Sequence, residues 1–86
     1  MTMIRHKMLI ISKKWGSMDR DEAVSKITED LKKRYADLKI IGAEPLKHDD
    51  TLKEYSIIVK YKVRNEDRAT VYYFDEAGNI LRHFNL

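Results

Sequence analysis

The stretch Tyr55-Ser56-Ile57-Ile58-Val59-Lys60-Tyr61-Lys62-Val63-Arg64 decides the fold. Its odd positions, Tyr55, Ile57, Val59, Tyr61 and Val63, are all large and apolar. Its even positions are Ser56, Ile58, Lys60, Lys62 and Arg64. A strand sends alternate side chains to opposite faces, so this pattern predicts one core face and one basic face. The strand as a whole is expected over Leu52 to Arg64.

Downstream, Asn65-Glu66-Asp67 is read as the turn into a strand from Arg68 to Phe74. Asp75-Glu76-Ala77-Gly78-Asn79 is a hairpin signal, a type I turn with Gly78 supplying positive φ. Ile80 to Phe84 is the last expected strand. Upstream, His48-Asp49-Asp50-Thr51 reads as a polar loop. Lys39 to Lys47 reads as a strand broken by Gly42 and Pro45. Proline lacks an amide donor, so this strand is expected to lie at an edge or to be irregular there.

A helix is predicted from Arg20 to Ala36. Val24, Ile27, Leu31 and Tyr35 recur at spacings of three and four and form one apolar stripe. Asp19 is placed to cap its first turn, with Glu22 three residues on. Met18 and Ala23 occupy the positions of a hydrophobic staple. Lys32-Lys33-Arg34 sits in the last turn, where cations oppose the negative end of the helix dipole. Ile4 to Trp15 is rich in Ile, Leu and Met and is expected to be a first strand, ended by Gly16 and Ser17. The expected fold class is therefore α+β: a single helix packed on one face of an antiparallel sheet, in the order β-α-β-β-β-β.

Turn length sets register. A three-residue turn puts Arg64 opposite Arg68, then pairs Lys62 with Thr70, Lys60 with Tyr72 and Ile58 with Phe74. The second turn pairs Phe74 with Ile80, Tyr72 with Arg82 and Thr70 with Phe84. The core predicted on this register is Val24, Ile27, Leu31, Tyr55, Ile57, Val59, Tyr61, Val63, Val71, Tyr73 and Leu81. The opposite face is expected to carry Ile58, Tyr72, Phe74, Ile80 and Phe84 beside Lys60, Lys62, Arg64, Arg68 and Arg82. An apolar patch of that size marks a contact site. The candidate binding residues are accordingly Ile58, Lys60, Lys62, Arg64, Tyr72, Phe74, Ile80, Arg82 and Phe84. Three coverings compete: the chain's own N-terminal strand or termini, a protein partner or second copy giving a homodimer, and single-stranded nucleic acid stacked on the aromatics. No RNP-type consensus supports the last.

The chain of 86 residues holds one domain, residues 1–86. Its net charge of +3 falls short of a dedicated nucleic-acid coat. No run approaches the ~20 apolar residues of a membrane span. The apolar run Met8 to Ile11 is too short for a signal-peptide core, so a cytoplasmic location is expected. There is no cysteine, hence no disulfide and no thiolate metal site. His6, His48 and His83 share no ligand spacing. Asp19, Asp21 and Glu22 fall in a first helical turn, where anions are favoured without chemistry. Ser12 and Ser17 have no His-and-acid context. No catalytic constellation, metal site or cofactor site is expected, and the function is read as non-enzymatic.

From Asp19 onward, the helix opening DRDEAVSKITEDLKKRY, the strand KEYSIIVKYKV and the ending TVYYFDEAGNIL resemble a PepSY-type domain. The resemblance covers roughly three quarters of the chain. It implies a non-catalytic, inhibitor-like regulatory module that binds or restrains a partner protein. The Ile4–Trp15 segment and the lack of a signal peptide depart from the PepSY pattern. Both count against an extracellular inhibitor role, and a small phage or mobile-element protein that blocks a host factor fits this size equally well.

Overall fold

The computed structural model describes residues 18–86, so the strand expected at Ile4–Trp15 lies outside the described residues. One helix, α1 (Arg20–Arg34), precedes five strands: β1 (Leu38–Ala43), β2 (Lys47–Asp49), β3 (Glu54–Val63), β4 (Glu66–Asp75) and β5 (Ile80–Asn85). All strand pairs are antiparallel, and the class is α+β. The expected order is corrected in one respect. The described residues run α-β-β-β-β-β, because Lys39–Lys47 is two strands rather than one. Pro45 sits between them, and the missing amide ends the ladder there.

Helix α1 begins where the sequence places its cap. Asp19 is extended (φ −101°, ψ 167°), and its Oδ1 accepts the Glu22 N–H at 2.8 Å. Met18 and Ala23, the staple positions, are both buried. The helix stops at Tyr35, whose N–H still reaches the Leu31 carbonyl at 2.9 Å. That is two residues short of the predicted end.

The sheet order is β1-β3-β4-β5, with β2 beside β3 on the same edge as β1. Ala23, Ile27 and Leu31 of α1 form one buried cluster with Tyr55, Ile57, Val59, Tyr61 and Val63 of β3 and with Tyr72 and Phe74 of β4. The odd positions of β3 therefore face the helix, as the alternation requires. Burial of a side chain the size of Phe or Leu stabilises by about 1.5–3 kcal/mol relative to exposure, so this cluster carries most of the fold.

The register of β4 differs from the expectation, and the turn explains why. Val63 pairs with Glu66, leaving only Arg64 and Asn65 in the loop. Both have positive φ, 53° and 66°. This is the signature of a type I′ turn, whose twist matches that of the flanking strands. Lys62 consequently faces Asp67 instead of Thr70, a shift of three residues. An odd shift turns every side chain of β4 to the other face. Thr70, Tyr72 and Phe74 point at the helix, whereas Val71 and Tyr73 do not.

A second irregularity follows in β5. Phe74 pairs with Ile80 as expected, but Tyr73 pairs with Arg82, leaving Leu81 as a bulge. The rest of β5 is thereby turned over as well. The predicted core is corrected accordingly. Val71 and Tyr73 lie half-buried on the far face, Leu81 is 44% exposed, and Val24 is only partly buried.

Candidate docking face of the sheet

The far face is the side of the sheet turned away from α1. Its rows follow from the pairings. One row is Ile58–Val71–Phe84, and the next is Ser56–Tyr73–Arg82. Toward the β3–β4 turn come Gly42–Lys60–Ala69 and then Lys39–Lys62–Asp67. Leu86 prolongs the Ala69 row through a 2.9 Å bond from its N–H to the Ala69 carbonyl. Phe84 is 53% exposed, and Leu86 and Ile41 are exposed too. The face thus has an apolar centre of Ile58, Val71, Tyr73 and Phe84, with the Phe84 ring edge-on to Tyr73 at 6.0 Å.

Three cations on this face are engaged. Arg82 grips the Glu54 carboxylate through both guanidinium nitrogens, at 2.8 and 3.2 Å, and lies over the Tyr73 ring. The Glu54 bond raises the Arg82 pKa. Lys62 pairs with Asp67 at 3.1 Å, and Lys60 with Glu44 at 3.8 Å. Arg64 stands apart in the β3–β4 turn.

Of the residues proposed as one surface, Ile58, Lys60, Lys62, Arg82 and Phe84 are brought together here. Tyr72 and Phe74 are not: both are fully buried against α1, and Ile80 pairs with Phe74 on that side. The sequence reading missed Val71, Tyr73 and Ala69. A two-residue turn at Arg64-Asn65 was the signal that would have found them, since Asn tolerates positive φ.

The helix face carries polar contacts as well. The Tyr72 hydroxyl donates to Asp30 Oδ2 at 2.6 Å, and Arg34 Nη2 reaches the same oxygen at 3.1 Å. Burial of Tyr72 pushes its pKa up, and the Asp30 bond and charge push it further in the same direction. Arg34 also donates to His83 Nε2 at 2.6 Å. Arginine has no acceptor, so this bond places the ring proton of His83 on Nδ1. Thr70 Oγ1 donates to Asn85 Oδ1 at 3.1 Å and lies 2.8 Å from the Tyr61 hydroxyl. Every one of these groups has a protein partner, which suits cross-bracing between layers.

At the other end of the sheet, His48 touches Asp50 through Nδ1 at 2.9 Å and Glu76 through Nε2 at 3.0 Å. Among the described residues no group of three or more His, Asp or Glu side chains is arranged to hold a metal. Among them, too, no helix is long and apolar enough to cross a membrane. Comparison with protein-family models, with curated proteins and with solved structures finds no match for this chain.

Proposed function

We propose that this chain is a non-enzymatic regulatory module that docks a protein through the far face of its sheet. The observation that carries this reading is the row Ile58–Val71–Phe84, an apolar stripe on the side away from the helix with a rim of ion pairs. An apolar centre inside a polar rim is the usual anatomy of a protein interface. The PepSY-like pattern from Asp19 onward points the same way, toward a module that restrains its partner.

The register breaks favour the face over the edges formed by β1 and β5. The outer strands β1 and β5 each carry a register break, at Ile41 and at Leu81. Bulges twist an edge out of line and discourage strand addition. The ion pairs also weigh against single-stranded nucleic acid, because Lys60, Lys62 and Arg82 must leave Glu44, Asp67 and Glu54 to reach phosphates.

A photo-crosslinking amino acid in place of Phe84, expressed in the native host, tests the proposal. Nuclease-resistant protein adducts are expected from position 84 and none from Lys33 on the exposed side of α1. Absence of any adduct at position 84, or adducts destroyed by nuclease, would sink it. Oligonucleotide titration at ~50 mM salt, where electrostatic binding is strongest, is expected to show no shift.

A further inference from the structure

The charges on the far face are not scattered evenly along the strands. On the turn side of the Ile58–Val71–Phe84 row stand Lys39, Lys60 and Lys62 against Asp67, a net of +2. On the other side stand Lys47 and Arg82 against Asp49, Glu54 and Asp75, a net of −1. Glu44 lies at the end of the apolar row itself, its N–H bonded to the Ile58 carbonyl at 2.9 Å. The face is therefore polarised end to end, with the apolar row as its waist.

From this we infer that the partner docked on the far face is a second copy of this chain, its strands running opposite to those of the first. A two-fold axis along the apolar row stacks Ile58, Val71 and Phe84 of one copy on the same residues of the other, and brings Glu44 beside its counterpart, each held by the Lys60 of its own chain at 3.8 Å. The same axis lays the basic end of each copy over the acidic end of its mate. An axis parallel to the strands would instead set lysines on lysines. Isologous contact of this kind is the commonest arrangement of homodimers, and two twisted sheets stack face to face at about 30°.

The area reaches the lower bound of a specific interface. β3 and β4 have ten residues each, β1 and β5 six each, and β2 three. At ~3.4 Å per residue and ~4.8 Å between strands, each face measures roughly 570 Å². Two apposed faces then bury on the order of 1,100 Å², just above the ~1,000 Å² that a specific interface must clear.

This inference rests on the docking reading above, and sedimentation equilibrium of the full chain separates the two. The wild type is expected at twice its 10.2 kDa mass. Phe84→Asp is expected to weaken self-association by about a hundredfold, as loss of a central anchor does. Lys39→Glu with Lys62→Glu makes both ends acidic, and Glu54→Lys makes both ends basic. Each variant alone is expected to self-associate about tenfold more weakly, and an equimolar mixture to form the heterodimer. A dimer lost in Phe84→Asp but not restored by mixing would overturn the antiparallel arrangement. A wild-type monomer whose Phe84 ring is quenched by a soluble nitroxide would overturn the second copy and leave the docking face standing. A monomer whose Phe84 ring is shielded would overturn both.

Discussion

The hydroxyl of Tyr72, a fully buried residue of β4, donates a 2.6 Å hydrogen bond to Asp30 on α1. It is a polar bolt between helix and sheet, and it makes Tyr72 resist ionisation. Tyr72→Phe is expected to cost about 1.5–3 kcal/mol in urea unfolding, the usual range for a hydrogen bond to a charged group. The pH dependence has a definite sign. The tyrosine pKa is raised in the folded chain, so the fold holds this proton where the unfolded chain releases it. The contribution is fully present below about pH 10 and is lost as pH climbs through the folded value. Stability between about pH 8 and about pH 11 is expected to fall less in Tyr72→Phe than in the wild type.

Phe74 and Phe84 stand on opposite faces, and truncation distinguishes them. Phe74 has no exposed surface. Phe74→Ala is expected to cost about 3–5 kcal/mol, enough to unfold a small domain. Phe84→Ala is expected to cost under ~1 kcal/mol by the same measurement at a dilution where the chain is monomeric. Equal losses would contradict the register.

The two-residue turn can be improved on. Arg64 and Asn65 both sit at positive φ, which costs an L-residue roughly 1–2 kcal/mol, less for Asn. The pair Arg64→Asn with Asn65→Gly supplies the residues a type I′ turn prefers and is expected to add about 0.5–1 kcal/mol. Insertion of one residue between them would demand the opposite face of β4, and its melting temperature is expected to drop sharply.

Gly78 is tied to the helix. Its φ is +90°, and Lys26 Nζ donates to its carbonyl at 2.6 Å. An added Cβ would lie 2.9 Å from that same nitrogen. Gly78→Ala is expected to cost about 1–2 kcal/mol. Lys26→Met in the same chain is expected to recover only part of the loss, because it relieves the contact and not the backbone. A thermodynamic cycle of the four proteins measures both shares.

The helix and the strand β3 were legible because each carries a single unambiguous period. Ile27 and Leu31 fall on one stripe, and the odd positions from Tyr55 to Val63 fall on one face of β3; all of these are buried. Strand β4 carries no such signal. Val71, Tyr72, Tyr73 and Phe74 are apolar at both parities, so only the turn could choose a face. The turn chose through the left-handed tolerance of Arg64-Asn65, a weaker signal than Asn-Gly. Phe84 and Arg82 nevertheless landed on the expected side of the sheet. The three-residue shift in β4 and the one-residue bulge at Leu81 are both odd, and they cancel beyond the bulge. Ile80, which precedes the bulge, shows only the first of the two and stays with Phe74.

The breaks in β1 and β5 set the direction in which this molecule can grow. Among the described residues β1 is kinked at Ile41 and β5 at Leu81, so neither strand offers a neighbouring chain a straight ribbon of amides and carbonyls to zip onto. Concentrated solutions are therefore expected to stop at small closed assemblies instead of thickening into filaments.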